Sequence, residues 1–544
     1  MKRVGTGLVM AVIGVGLLFA LACAPQESAP PAGSGPGQAT SQPAQPKSGG
    51  TLTLAVNFDP SYLDPHKGTA QPTSGGDMMD HTYDTLLNFA PSLTDYRFEG
   101  NLAASWEQPD ARTYIFRLRQ GVRWHDLPPV KGREFVADDV KYSIERIRTK
   151  SKDFGQQWRF ADVAQIEVLD KYSVKFVLTE PSANFLNRVA NRAVRIVPRE
   201  LIEQQGDLNG PVQIGTGPFL WKSYTRGSGT TFEKNPNYHL TGRPYVEKVN
   251  LLIVPEAAAR LSAFRAGQID LLEVGFRDQA AVKRTNPNVV VTRIPGGAGD
   301  LVDTGFRINL AKPPLDDLRV RQALQLAVDY DAIMQQIYDG DAQQASYVSP
   351  SLQEWFLPGL TLPKRDVVKA KQLLAQAGYA SGLRLVAKAS TGRSAWADTG
   401  TLLKTQLAEV GIEVDLRLME HGAWIAAQVA KDFDILPSGP AKFGPGGDGD
   451  PEPLYSGYHC KGGRNFYNLC DAQLDELLDK QRVTVDPEQR KRLIHDVQRR
   501  LVELLPEIPI AETFHYDLAQ PWVQGYQPSL ASRFRYNYNI WLDK

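Results

Sequence analysis

Short runs alternating apolar and polar residues recur along this chain between segments of helical spacing. That interleaving restricts the fold more than any other feature. Residues 51–56 (Thr-Leu-Thr-Leu-Ala-Val) alternate after the Gly49-Gly50 pair, and the same period returns at 174–178, 249–253 and 412–418. A two-residue period marks half-buried strands. Between them, Val140, Ile144 and Ile147 share one helical face behind Asp138 and Asp139. Val320, Ala323, Leu324, Ala327 and Val328 form a second stripe behind Asp316-Asp317. Leu493, Val497, Leu501 and Leu504 form a third, opened by Asp486-Pro487-Glu488 and closed by Pro506. Acidic residues suit helix starts, where a carboxylate caps free amides and meets the positive end of the dipole. Strands and helices alternating over the whole length define α/β lobes, not a sandwich or a bundle.

The N-terminus sets the compartment. Met1-Lys2-Arg3 is a basic head, residues 7–22 are an apolar run, and Ala20-Leu21-Ala22 precedes Cys23. The run is shorter than the roughly 20 residues of a membrane span and fits the core of an export signal. The small residues before Cys23 suit both a lipoprotein signal and ordinary secretion. Residues 24–47 favour the lipid, being almost entirely Pro, Ala, Ser, Gly, Gln and Thr. That composition buries too little apolar surface to fold, and a flexible leash implies an anchor. The expectation is a signal peptide over 1–22, a lipidated Cys23, and a linker to residue 47, which place the chain on the extracytoplasmic face of a membrane.

The remaining chain is long enough for about three domains or lobes. With 61 basic and 61 acidic residues the formal charge is zero, and no basic cluster or tail suggests nucleic acid. With Cys23 lipidated, Cys460 and Cys470 remain, an even pair in an exported chain and so a candidate disulfide around Lys461-Gly-Gly-Arg464. Two free thiols are the alternative. Nucleophile elbows, Walker loops, His-Glu-x-x-His and Cys-x-x-Cys are absent, and the eight histidines are widely spaced. No catalytic residue, metal ligand or cofactor is therefore assigned. Asp448, Asp450 and Glu452 alternate as calcium ligands do, but Pro451 and Pro453 break the pattern and a solvated loop is expected.

In order along the chain stand Gly49-Gly-Thr-Leu, Leu63-Asp-Pro-His66, Tyr83-Asp-Thr-Leu86, Asn101-Leu-Ala-Ala-Ser-Trp106, Tyr114-Ile-Phe-Arg-Leu-Arg119, Gly121-Val-Arg-Trp-His-Asp126 and Ala137-Asp-Asp-Val140. Gly215-Thr-Gly-Pro-Phe219, Asn235-Pro-Asn-Tyr238, Phe264-Arg-Ala-Gly-Gln-Ile-Asp270, Arg319-Val-Arg-Gln-Ala-Leu324, residues 370–378 and Ile508-Pro-Ile510 follow. Together they resemble the solute-binding proteins of ATP-binding-cassette importers, dipeptide/oligopeptide/nickel class (extracellular solute-binding protein family 5), over residues 49 to about 522. Most landmarks read as structural. Trp106, Phe116, Trp124, Phe219 and Phe264 are core-forming types, and Gly217 and Gly267 suit turns of positive φ.

The resemblance implies an α/β, two-lobed, periplasmic-binding-protein-like (Venus flytrap) fold with an extra inserted domain. Lobe I would comprise 48–89, 194–295 and 508–544, the insert 90–193, and lobe II 296–507. Such a receptor is not an enzyme. It would act as a monomer, enclosing a small molecule or peptide and passing it to permease subunits. A hydrolase and an envelope chaperone are the rivals; a nucleophile or carboxylate pair would mark the first, a broad exposed apolar surface the second.

The sequence departs from the family twice. Leu127-Pro-Pro-Val-Lys131 is inserted before Gly132, and Glu134 replaces a proline, which lengthens a surface loop. Peptide-binding members also carry Gly-Trp-x-x-Asp shortly before an Asp-Pro, the aspartate holding the peptide's ammonium. Counting back from Pro451 puts Gly444 at the tryptophan and Gly447 at the aspartate; Phe443 and Asp448 substitute only if the loop is realigned, while Lys442 nearby favours an anion. Candidate ligand residues are Phe306 and Asn309 after the hinge, Arg393 on a loop following a strand, Trp424 following another, Lys442 and Phe443 in the altered loop, and Tyr455 beyond it.

Overall fold

A twelve-stranded sheet runs through the protein. The computed structural model describes residues 45–60, 62–67, 73–149, 156–296, 303–361, 363–439 and 450–544. Cys23, the signal and leash, Lys442 and Phe443 lie outside them. The chain divides at residue 45, and everything below concerns residues 46–544. In chain order the sheet strands are β1 (Thr51–Val56), β2 (Phe219–Thr225), β3 (Gly229–Lys234), β4 (Lys248–Ile253), β5 (Leu271–Val274), β6 (Val290–Pro295), β7 (Thr304–Ile308), β8 (Ala342–Gln344), β9 (Leu383–Ser390), β10 (Ile412–Met419), β11 (Ile435–Ser438) and β12 (Glu507–Ala519).

Spatial order is β10-β9-β11-β7-β12-β5-β1-β4-β3-β2, with β6 and β8 also pairing β12. The long strand β12 serves both halves. Its first part pairs antiparallel with β7, Arg307 opposite Glu507 and Thr304 opposite Ala511. Its second part pairs with β6 from Pro295–Phe514 to Val290–Ala519, and with β5. Thr513 sits at the change of partners, its carbonyl accepting from Gly296 N–H at 3.0 Å and its own N–H reaching the Asp303 carboxylate at 2.9 Å. The passage between the halves thus falls inside β12.

The helices start where the acidic residues stand. Asp317 accepts from the Arg319 amide, Asp486 from Gln489, and Asp139 reaches back to the Val136 amide at 3.0 Å. One core gathers β7, β9 and β11 with helix Leu318–Ala327 around Phe306, Ile308, Leu324 and Ile435. Another lies under β1 and β4, with Leu52, Leu54, Val249 and Leu251. A separate antiparallel sheet, Ala103–Asp110, Thr113–Leu118, Ser173–Leu178 and Val163–Asp170 in that order, packs its aromatic residues against helix Ala137–Arg148. Its core continues into Leu454, Leu474, Ile494 and Val497 on the helices near residues 452–504.

Three local expectations are corrected. Trp106 is only half-buried, whereas Phe116, Trp124, Phe219 and Phe264 are interior. Gly267 does adopt a positive φ, +73°, but Gly217 does not. Its glycine is required because an added Cβ would stand 2.6 Å from the Thr82 carbonyl, where backbone cannot yield. The Asp450 carboxylate is not in a solvated loop; it is buried against Arg490 at 2.9 Å.

Candidate functional site

The C-terminal ends of the parallel strands β9, β10 and β11 open along one sheet edge, beside the start of antiparallel β7. In α/β sheets that edge carries ligands, because the loops leave the strands there and helices present their amide ends. Arg393 stands on it as the N-terminal flanking residue of the fifteen-residue helix Ser394–Ala408, and its carbonyl accepts from Trp396 N–H at 3.0 Å.

An aromatic wall follows. The rings of Trp396 and Trp424 lie 4.9 Å apart, and His421 stacks on Trp424 at 5.7 Å with 7° between planes. Phe433, Leu436 and Met419 back the wall. Trp424 is nearly buried, and among the described residues its indole N–H has no hydrogen-bond partner. Trp396 donates its indole N–H to Asp303 O at 3.1 Å, joining the wall to the inter-lobe passage. Ser390 Oγ lies 3.0 Å from His421 Nδ1.

The other candidates sit differently. Phe306 is in the core under β7. The Asn309 amide donates to the carbonyls of Lys431 and Phe433 at 2.9 and 3.1 Å and accepts from Asn468, so it ties loops together. Tyr455 lies on helix Glu452–Tyr458, its ring between His459, 4.4 Å away, and the Arg482 guanidinium at 4.1 Å. The structure brings Arg393 and Trp424 to one edge and leaves Phe306, Asn309 and Tyr455 elsewhere.

The structure adds Trp396, His421 and Arg307 to the residues gathered near this edge. Arg307 had a usable signal: alternation along β7 puts Thr304, Phe306 and Ile308 on one face and Arg307 on the other. Its guanidinium donates to Gln428 Oε1 and, at 3.1 Å, to Gly439 O, and lies over Phe466. It fastens the end of β11. Past the altered loop, Arg490 holds Asp450 and donates to Ala183 O at 3.2 Å on the segment carrying the smaller sheet. Buried guanidiniums therefore fix both Gly439 and Asp450. Outside this edge, a cavity of about 590 Å³ is lined by Glu99, His239, Arg243, Tyr536 and Tyr538.

Glu452 adds a pH dependence. Desolvation pushes its carboxyl up to about 7, with Arg482 opposing and Asp450 reinforcing the rise. An acid whose pKa is raised by folding destabilises the fold once it must ionise, so the penalty grows from the ordinary value of 4.5 to about 7 and stays constant above. Partial exposure and the Arg482 contact limit it to roughly 1–2 kcal/mol. Glu452→Gln is expected to stabilise the protein by that amount near pH 8 and hardly at all near pH 4 in thermal melts. Equal effects at both values would rule out this assignment.

The fold is two-lobed, with one sheet running through both lobes. The family model for bacterial extracellular solute-binding proteins, family 5 (middle region), matches residues 97–465. The di/tripeptide-binding protein 1 of Pseudomonas aeruginosa is 31% identical over 510 residues, 88% of this chain and 92% of that protein. Among solved structures, CtaP from Listeria monocytogenes superimposes with a TM-score of 0.79 at 22% identity, covering 92% of this chain and 100% of that one. The binding protein AgaA from A. tumefaciens R10, in complex with agropinic acid, gives 0.68 at 26% identity, covering 91% and 99%. This chain belongs to the family 5 extracellular solute-binding proteins. It is a binding protein of the importer class, not an enzyme. Among the described residues no helix is long and apolar enough to cross a membrane.

Proposed function

We propose that the chain is a lipid-anchored receptor that encloses a small carboxylate-bearing solute, peptide-like or otherwise polar, and delivers it to the permease of an ABC importer. The observation that carries the reading is Arg393, at the N-terminus of helix Ser394–Ala408 and beside the Trp396–Trp424 wall. A helix N-terminus and a guanidinium fork both favour an anion, and the indoles suit an apolar flank. Relatives support the class: one is named for di- and tripeptides, which end in a carboxylate, and another holds agropinic acid. In this reading lobe I is 48–89, 194–295 and 508–544, the insert is 90–193, lobe II is 296–507 with residues 508–511 of β12 pairing its strand β7, and Lys442 and Phe443 belong to the ligand loop. The receptor works as a monomer, and solute favours closure by its contacts with both lobes. Mass spectrometry of solute released from the purified protein tests the class. A carboxylate is expected, and a purely cationic solute contradicts it.

Two further outcomes follow. Gly447 stands where peptide binders place their aspartate, and burying an ammonium without a counter-charge is costly. Unmodified di- to pentapeptides should therefore bind more weakly than their N-acylated forms in calorimetry. Micromolar affinity for several free-amine peptides would show that another carboxylate has taken the role. The anchor is tested by Cys23→Ser, which should move the protein from membrane to soluble fractions once the signal is cleaved. A processed variant that stays with the membrane refutes the lipid.

A further inference from the structure

The disulfide end of the loop 460–470 holds a second set of donors. Cys460 and Cys470 are joined, with Cα atoms 4.7 Å apart. A carboxylate oxygen of Asp475 and the two sulfurs all lie within 4.8 Å of one another. The carboxylate is already turned toward them, since Asp475 Oδ1 accepts from Cys460 N–H at 2.9 Å. Cys470 is exposed, so reductants reach the pair; exposed disulfides are the labile ones.

His459 decides which groups are ligands. Its Nδ1 accepts from Lys461 N–H at 2.9 Å, so the neutral ring carries its proton on Nε2. That nitrogen lies 3.8 Å from Asp475 Oδ1 and 3.5 Å from Asp479 Oδ1. In this tautomer Nε2–H faces the carboxylates and has no lone pair for a metal. His459 therefore stands outside the ligand set, beside the carboxylates of Asp475 and Asp479.

We propose that the reduced Cys460–Cys470 pair, with Asp475, forms a site for one thiophilic divalent cation of the zinc type, solvent filling the fourth position. A dithiol or phosphine reductant first cleaves the S–S bond, leaving two protein thiols and the oxidised reductant. The cation then displaces two thiol protons, which pass to solvent, as two metal–sulfur bonds form. Two thiolates and a carboxylate select zinc, cadmium or cobalt over calcium or magnesium. The site has structural leverage. Its loop carries Phe466 and Tyr467, over which Arg307 lies, and Asn468, which donates to Asn309. A bound cation would tie the loop where the disulfide did.

Cobalt(II) and zinc(II) alone are the probes, added to the purified mature protein, oxidised or reduced with a phosphine. The reduced protein should take up one equivalent of cobalt with thiolate charge-transfer and tetrahedral d–d bands, displaced by zinc. The oxidised protein and the Cys460→Ser and Cys470→Ser variants should give none. Asp475→Asn should weaken uptake at least about tenfold and His459→Gln should do so less strongly. Zinc should also raise the melting temperature of the reduced protein and leave the oxidised one unchanged. If reduction collapses the near-UV circular dichroism, zinc present during reduction should preserve it. Absent bands, equal bands in Asp475→Asn, or a collapse indifferent to zinc overturns the site.

Discussion

Replacing Asp80 by alanine is expected to destabilise the folded chain by about 3–5 kcal/mol, the usual cost of removing one partner from a buried ion pair. Asp80 and Arg195 are both fully buried. The Asp80 carboxylate accepts from Arg195, from Arg192 at 2.8 Å and from Ser532 Oγ at 2.6 Å, so it joins the segment near residue 192 to the C-terminal return. Without it the Arg195 guanidinium keeps the carbonyls of Arg192 and Gly76 but loses its counter-charge. Burial alone would raise the Asp80 pKa; Arg192, Arg195 and Arg535, with the Ser532 hydroxyl, overcome it and hold the carboxyl far below its usual range. A depressed carboxylate contributes stability that is complete above its ordinary value of 3.8 and is lost only as pH falls well below it. The alanine penalty should therefore be the same near pH 5 and near pH 8 in urea titrations. Lys480→Ala, which breaks an exposed pair with Glu476, should cost less than about 0.5 kcal/mol. A loss below about 1 kcal/mol at Asp80 would mean that the cluster relaxes or takes in water.

This cluster marks where sequence reading stops. Strand and helix positions are legible because burial imposes a period: Leu52 and Leu54 face one core while Thr51 and Thr53 do not. Helix starts are legible because capping is local, as Asp317 and Asp486 show. Partners hundreds of residues apart leave no local trace, so nothing near Asp80 announces Ser532. Glycines are intermediate. Gly217 is legible as a constrained position, but its reason, the Thr82 carbonyl standing where a Cβ would go, is a tertiary contact. Side-chain facing within a short buried strand is harder to read. Parity along the five-residue strand β7 puts Phe306 and Arg307 on opposite faces, and Phe306 packs in the core. Trp424 is legible as a residue following a strand end; that Trp396 packs beside it is a tertiary contact, although it follows Arg393 by three residues, within one helical turn.

Within the proposed reading, Arg393→Ala should weaken binding of the native solute by about 1.5–3 kcal/mol, roughly 10- to 150-fold in Kd. Three features converge on that position. The guanidinium offers a planar fork for a carboxylate. The helix behind it, Ser394–Ala408, contributes the positive end of its dipole. The Trp396–Trp424 wall begins one turn away and offers an apolar flank. Arg393→Lys should recover part of the affinity, since it keeps the charge and loses the fork. Thermal melts of the unliganded variant, run beside the binding measurements, separate a role toward the solute from a role in the fold. Solute should shrink the radius of gyration of the wild type in small-angle scattering, and the alanine variant should need correspondingly more solute to reach the same compaction. If instead the variant binds the native solute normally, Arg393 only flanks its helix and the carboxylate must be held elsewhere. If the variant loses stability in step with affinity, the residue supports the loop instead of the ligand. Only lost affinity in a chain that melts normally fits an arginine acting on the solute itself.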